Sequence, residues 1–123
     1  MKIYVTHSNK WEYISKLYLP LKQSSLEQEH DIYYPHDEEH KNEHSKETIR
    51  SSDLVIAEVS LPATGMGVEL GWAEDRGVPI LCISEEGYHV SNALQHITEN
   101  FLVYRNETDM IKQIEEFIKK RKN

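Results

Sequence analysis

The chain has 123 residues, of which 38% are hydrophobic and 28% are charged, the proportions of an ordinary globular protein with a buried core. Its formal net charge of −7 argues against a nucleic-acid polymer or an anionic membrane surface as a partner. No apolar run approaches the roughly 18 residues that a membrane span requires, and the N-terminus starts directly with a strand-like segment where a secretory signal would stand. We therefore expect one domain over residues 1–123 and a cytoplasmic location.

The N-terminal half of the chain predicts two strands and two helices. Pro20 falls inside the first helical pattern, so a kink or a break is expected there. The highly charged segment that follows the second strand is predicted to be a loop over the site. The predicted elements are a strand over 2–6, a helix over 11–29, a strand over 31–34, the loop over 36–43 and a short helix over 45–51.

The C-terminal half opens with an apolar, β-branched run, Leu54–Val59, which predicts a strand buried on both faces. The helix after it is predicted to end at Arg76 and Gly77, because glycine commonly closes a helix. The remaining elements are a strand over 78–83, a helix over 90–98, a strand over 101–104 and an amphipathic helix over 109–120.

Strand and helix therefore alternate five times, which indicates an α/β fold. We predict a three-layer flavodoxin-like or Rossmann-like architecture, in which a five-stranded parallel sheet of order 2-1-3-4-5 carries helices on both faces. In such a sheet the ligand binds at the switch point between strands one and three. The loop after strand one (6–10) and the loop after strand three (60–69) are thus expected to meet at one crevice.

The stretch after the third strand contains the most suggestive chemistry. Gly65 and Gly67 give the backbone room to approach a ligand closely. Glu69 is predicted to lie in the first turn of the following helix, where the helix dipole favours an ionised carboxylate and hence a nucleophile. The glycine spacing is not that of a dinucleotide-binding fingerprint, and a tight strand-to-helix turn explains it equally well.

Three histidines, His36, His40 and His44, recur every four residues and would share one face of a helix, so metal binding is conceivable. The residues between them are nearly all charged, however, which fits a solvated flap better. The lone Cys82 lies in an apolar run and is predicted to be a buried thiol. We therefore expect no metal site. Trp72 is interpreted as a core or dimer-interface residue.

Tyr4 on the first strand, the run Asp53–Glu58 and the block Gly65–Gly71 together resemble the nucleoside 2-deoxyribosyltransferase family. The similarity is greatest to its branch of 2′-deoxynucleoside 5′-monophosphate N-hydrolases. The resemblance implies that Glu69 attacks C1′ of deoxyribose and forms a glycosyl-enzyme intermediate, while Tyr4 positions the carboxylate. Glycosidic cleavage passes through an oxocarbenium-like transition state, which a nearby anion stabilises or captures.

The same resemblance implies a phosphate site and a base site. Ser8 and Lys10 would hold the 5′-phosphate, Ser91 would complete that site across a homodimer interface, and His36 would lie near the base. The full set of predicted substrate-binding residues is Thr6, Ser8, Lys10, His36, Ser45, Glu58, Thr64, Gly65, Gly67 and Ser91.

Two positions depart from the family pattern. Ser45 stands where the family carries an aspartate that contacts the base or its leaving nitrogen. Ala63 occupies the place of a small hydroxyl residue, with Thr64 directly after it. Glu58 is another candidate acid, or a residue that only caps neighbouring backbone.

The expected activity is hydrolysis of a 2′-deoxynucleoside 5′-monophosphate to free base and deoxyribose 5-phosphate. Base exchange by a nucleoside 2-deoxyribosyltransferase is one alternative, and a non-catalytic nucleotide-binding or sensor domain is the other. The expected partner is a small-molecule nucleotide or nucleoside. No metal or organic cofactor is expected, and the resemblance implies a homodimer.

Overall fold

The computed structural model describes residues 1–40 and 43–122. Its centre is a five-stranded parallel sheet with the strand order β2-β1-β3-β4-β5. This order confirms the predicted flavodoxin-like architecture. The strands are β1 (Lys2–His7), β2 (Asp31–Tyr33), β3 (Leu54–Glu58), β4 (Ile80–Glu85) and β5 (Phe101–Tyr104).

The central strand β3 is buried at all five positions, as its unbroken apolar pattern predicted. Its register with β1 pairs Thr6 with Ala57 and His7 with Glu58. The two strands therefore end side by side, so the loops that follow them lie at the same edge of the sheet.

Helices cover both faces of the sheet. On one face, side chains of the first and last helical segments pack under Ile56, among them Leu17 and Ile114. On the other face, Leu70 packs against Val55. The helices are α1 (Leu19–Lys22), α2 (Ser25–Glu29), α3 (Lys46–Arg50), α4 (Thr64–Arg76) and α5 (Glu107–Lys122), and a π-helical turn covers Ile14–Tyr18.

The predicted helix over 11–29 is replaced by shorter segments, and its break does not occur at Pro20. Pro20 lies in the first turn of α1, where its missing N–H removes no helical hydrogen bond. The break comes after Lys22 instead. Ser24 then caps α2, because its side chain accepts a hydrogen bond from the Leu26 N–H at 3.2 Å.

Other boundaries also moved. The predicted helix over 90–98 is a 3-10 turn, Asn92–His96, and the predicted loop over 36–43 contains another, Glu38–His40. Lys41 and Asn42, within that loop, lie outside the described residues. The end of α4 is as predicted, since Gly77 has a φ of 80°.

Two further predictions concern single features of the chain. Cys82 is a buried free thiol, and burial raises its pKa to about 12. Among residues 1–40 and 43–122, no helix combines the length and the apolar character that crossing a membrane requires.

Candidate active site

A cavity of about 660 Å³ opens at the edge of the sheet where β1 and β3 end. Its walls come from the loop after β1, the loop after β2, the N-terminal part of α4 and the residue that precedes α3. The predicted site residues that line it are Ser8, Lys10, His36, Ser45, Thr64, Gly65 and Glu69.

Glu69 is held by two hydroxyl groups from β1. The Tyr4 hydroxyl donates a hydrogen bond to Oε2 at 2.6 Å, and the Thr6 hydroxyl donates to Oε1 at 2.7 Å. Both oxygens therefore act as acceptors, as those of an ionised carboxylate do. Tyr4 and Thr6 alternate with Val5, which is buried in the core on the opposite face of the sheet, so both reach the face that α4 covers.

Glu69 does not lie in the first turn of its helix, and that prediction was wrong. The helix α4 starts at Thr64, so Glu69 falls in the second turn, and the first turn contains no acidic residue. The effect of a helix dipole on a side chain fades within the first turn. Hydrogen bonds from β1, not the end of the helix, therefore fix this carboxylate.

Tyr4 remains a hydrogen-bond donor at all ordinary pH values. Its side chain is 0% exposed, and burial together with the Glu69 carboxylate raises the pKa of the Tyr4 phenol well above its usual range. The phenol therefore keeps its proton and directs it at Glu69. The positioning role that the resemblance implies for Tyr4 requires such a contact with Glu69.

One end of the cavity has the groups that an anion requires. Ser8 is 2% exposed, and its hydroxyl oxygen accepts a hydrogen bond from the Lys10 N–H at 3.1 Å, which leaves the hydroxyl proton free to donate. Lys10 contributes an exposed ammonium group. Thr64 and Gly65 begin α4, where N–H groups have no acceptor within the helix.

His7 is a site residue that sequence reasoning missed. It is 5% exposed, and its Nδ1 lies 3.1 Å from the Ser8 carbonyl oxygen while its Nε2 lies 2.7 Å from the Tyr18 hydroxyl. Since a carbonyl only accepts, Nδ1 carries the proton and Nε2 accepts from Tyr18. Burial lowers the pKa of His7 to about 4, so the ring is neutral at pH 7.

The same hydroxyl connects His7 to the loop after β2. The Tyr18 hydroxyl oxygen accepts a hydrogen bond from the His36 N–H at 3.1 Å. The His36 ring lies 5.0 Å from the His7 ring and 5.3 Å from the ring of Tyr13, measured between centroids. His36 thus belongs to an aromatic cluster beside the end of β1.

The other end of the cavity is formed by Ser45 and Trp72. Ser45 lines the cavity and directly precedes α3. Trp72 lines the cavity while also packing against the core, so it is more than the core residue that the sequence suggested. The His44 ring lies 5.9 Å from the Trp72 ring, measured between centroids, and is not among the lining residues.

The three histidines of the i, i+4 repeat have different surroundings. His36 faces the cavity, His44 lies against Trp72, and the His40 ring stacks on Tyr33 at 4.0 Å. Within the described part of the chain, no group of three or more His, Cys, Asp or Glu side chains is arranged to hold a metal ion.

Glu58 lies away from the cavity, on the sheet face opposite α4. It is 1% exposed and accepts hydrogen bonds from the Ser60 N–H at 2.7 Å, the Ser60 hydroxyl at 2.9 Å and the Tyr104 hydroxyl. Burial raises the pKa of Glu58. Glu58 was predicted either to act as an acid or to cap neighbouring backbone. In the structure it caps the backbone N–H of Ser60.

Two more predicted residues are outside the cavity wall. Gly67 is exposed on α4, and a Cβ added there would meet nothing within 4 Å. Ser91 is exposed and caps the turn Asn92–His96 through the Ala93 N–H. The lining residues that were not predicted are His7, Asn9, Pro62, Ala63, Met66, Val68 and Trp72.

No protein-family model matches the chain. Over 42 residues, 34% of the chain, it is 50% identical to a Syntrophotalea carbinolica protein named 2′-deoxynucleoside 5′-phosphate N-hydrolase 1. Over 35 residues, 28% of the chain, it is 51% identical to the 5-hydroxymethyl-dUMP N-hydrolase of Mus musculus. In these matches the chain spans 27% and 20% of the lengths of the two relatives.

Two solved structures share the fold. The CMP N-glycosidase of Clostridium botulinum matches with a TM-score of 0.66 and 19% identity, covering 94% of this chain and 99% of that one. The signal receiver domain of a Luxo repressor protein from Vibrio parahaemolyticus matches with a TM-score of 0.58 and 19% identity, covering 98% and 92%. The similarity to named deoxynucleotide N-hydrolases, in a chain of this fold, confirms the family resemblance predicted from the sequence.

Proposed function

We propose that the protein is an N-glycosidase that hydrolyses 2′-deoxynucleoside 5′-monophosphates to free base and deoxyribose 5-phosphate. The observation that carries the proposal is the Glu69 carboxylate, held by Tyr4 and Thr6 in the middle of the cavity. The similarity to two proteins named as N-hydrolases of deoxynucleotides supports the same activity.

In the proposed reaction Glu69 is the nucleophile. One of its oxygens bonds to C1′ while the bond from C1′ to the base nitrogen breaks, and the electron pair of that bond leaves with the base. Water then cleaves the glycosyl ester and regenerates the carboxylate. Hydrogen bonds from Tyr4 and Thr6 fix the carboxylate beforehand, so little reorganisation is needed at the transition state.

The substrate phosphate is proposed to bind at the Lys10 end of the cavity. The Ser8 hydroxyl, the Lys10 ammonium and the first N–H groups of α4 suit one phosphate group. The 123-residue chain has a formal charge of −7, which on average repels an anionic substrate. The local cluster of donors therefore has to outweigh that repulsion.

The test is chromatographic detection of free base after incubation with each deoxynucleoside and its 5′-monophosphate. Base released from monophosphates in the absence of any second base supports hydrolysis. Release that requires a second base would move the assignment to base exchange. No release from any of these substrates, with binding retained, would leave a nucleotide-binding or sensor domain.

Replacing Tyr4 by Phe is expected to lower kcat by about 10- to 100-fold, because it removes one hydrogen bond to an ionised group worth about 1.5–3 kcal/mol. Base release under saturating substrate is the measurement. KM is expected to change little, since the phenol contacts Glu69 and not the phosphate end. A change confined to KM would contradict the positioning role of Tyr4.

Replacing Lys10 by Met is expected to weaken kcat/KM for a deoxynucleoside monophosphate by about 10- to 100-fold, through loss of one charged contact to phosphate. The exposed Lys2 at the start of β1 offers the matched control, since Lys2→Met removes the same charge far from the cavity. Equal losses in the two variants would mean that Lys10 acts only through net charge.

A further inference from the structure

The cavity has two chemically different ends along α4. Gly65 and Trp72 are seven residues apart, so the helix separates them by about 10 Å, with Glu69 between them. The N-terminal end of α4 lies at the sheet edge where β1 ends and where Ser8 and Lys10 follow. At the other end, the ammonium of Lys46, the residue after Ser45, lies 5.6 Å from the Trp72 ring. A nucleotide with its phosphate at the first end and C1′ at Glu69 therefore places its base between Ser45 and Trp72.

None of the described side chains that line this second end is suited to protonate a departing base. The His44 ring, 5.9 Å from the Trp72 ring, and the Lys46 ammonium, 5.6 Å from it, are not among the lining residues. Among the described lining residues, Glu69 is the only carboxylate, and both its oxygens already accept hydrogen bonds. Two acidic residues of the charged segment after β2 have other partners. Asp37 pairs with Lys22 at 2.8 Å, and Glu43 accepts hydrogen bonds from Tyr33 and His40.

The remaining titratable groups around Glu69 are occupied or wrongly placed. The Tyr4 proton is directed at Glu69. His7 is neutral at pH 7 and donates its single N–H to the Ser8 carbonyl. The His36 ring packs against His7 and Tyr13, beside the end of β1 and not beside Trp72.

We propose that the described residues at the base-binding end of this cavity supply no general acid, and that Ser45 thereby restricts the enzyme to bases that depart without being protonated. The proposal rests on the N-glycosidase activity proposed above and names its substrate class. Two kinds of base meet the requirement. Uracil-type pyrimidines leave as an N1 anion spread over two carbonyls and take a proton from water afterwards. Purines alkylated at N7 leave as neutral molecules, because the electron pair of the broken bond cancels the charge of the ring.

The unmodified bases adenine, guanine and cytosine behave differently. Their departure is assisted by protonation of a ring nitrogen or an exocyclic oxygen, and a positioned acid contributes about 10²- to 10⁴-fold to such a step. A site without that acid therefore cleaves nucleotides of these three bases more slowly. The rate for uracil-type pyrimidines and N7-alkylated purines is unaffected, because their departure needs no protonation.

The experiment compares bases of matched shape. N7-methyl-dGMP is paired with dGMP, and 5-fluoro-dUMP is paired with dCMP, and kcat/KM for base release is measured for each. The first member of each pair is expected to be cleaved at least about 100-fold faster, after subtraction of spontaneous release. Rates within about tenfold in both pairs would overturn the inference while leaving the N-glycosidase activity intact. Absence of release from all four would instead overturn the proposed function.

Ser45 variants give a second readout. Ser45→Asp introduces a carboxyl group at the base, and Ser45→Asn introduces a side chain of the same size that has no acidic proton. In the aspartate variant, the ratio of kcat/KM between the two members of each pair is expected to fall by about tenfold or more. The pH profile of dGMP cleavage is expected to gain a basic limb. In the asparagine variant, both ratios of kcat/KM are expected to stay as large as in the unmodified protein. Equal effects of the two variants would show that Ser45 acts by size alone.

His36→Gln tests the cavity-lining imidazole other than that of His7. The ratio between N7-methyl-dGMP and dGMP is expected to stay the same in this variant. A selective loss of dGMP cleavage, with N7-methyl-dGMP cleavage retained, would identify His36 as the missing acid and overturn the proposal.

Discussion

Glu69→Gln is expected to reduce release of free base by about 10⁴-fold or more, the scale on which loss of a nucleophile acts in other covalent enzymes. The amide has nearly the shape of the carboxylate, yet it is neutral and a very poor nucleophile. One of its two hydrogen-bond acceptors also becomes an NH₂ donor that faces the hydroxyl of Tyr4 or Thr6.

The measurement is single-turnover base release, with mass spectrometry of the protein to detect a deoxyribosyl adduct. The unmodified protein is expected to show the adduct, and the variant is expected to lack it. Glu74→Gln is the matched control, because Glu74 lies exposed on the same helix away from the cavity. Activity that persists in Glu69→Gln, with an adduct on another residue, would contradict the proposed nucleophile.

Much of the fold could be predicted because its signals are local. The apolar run of β3 and the short strands around it have the composition of a buried parallel sheet, and alternation with helices then restricts the topology. Observed strand bounds differ from the predicted ones by two residues at most, as at the start of β4, Ile80 in place of 78. The convergence of the loops after β1 and β3 followed from the strand order alone.

The start of α4 could not be predicted with the same accuracy, and the error changed the chemistry assigned to Glu69. Its N-cap residue is Ala63, whose side chain makes no capping hydrogen bond, so the usual sequence signal of a helix start is missing. The sequence pattern therefore favours a turn at Thr64 and Gly65. The hydroxyls that hold Glu69 come from β1, more than sixty residues earlier in the chain, and only the folded structure brings them together.

Glu58 was predicted to be in the site and lies outside it, whereas His7 was not predicted and lines the cavity. Both errors have the same cause. In a strand buried on both faces, the apolar pattern does not tell which face a given residue occupies. Glu58 shares the face of Leu54 and Ile56 and points away from α4. His7 on β1 shares the face of Val5 and so also lies on the face away from α4. It reaches the cavity because the strand ends there.

The burial of His7 predicts a loss of stability in acid. The folded protein lowers the pKa of His7 to about 4, whereas the unfolded chain keeps the ordinary value of 6.5. Above pH 6.5 the ring is neutral in both states, and nothing is lost. As the pH falls from 6.5 to 4, the unfolded state binds a proton that the folded state does not, and the free energy of unfolding drops by about 3 kcal/mol.

Urea unfolding of the wild-type protein, His7→Gln and His89→Gln between pH 4 and pH 7 isolates this contribution from that of the other titrating groups. His7→Gln is expected to be less stable at pH 7, since it disturbs the hydrogen bonds to Tyr18 and Ser8. Its free energy of unfolding should nevertheless fall about 3 kcal/mol less than that of the wild type on going to pH 4.

His89 is exposed, so its variant should follow the wild-type curve. A difference between wild type and His7→Gln that stays constant across this range would mean that His7 does not titrate differently in the two states, because only a shifted pKa makes that difference depend on pH.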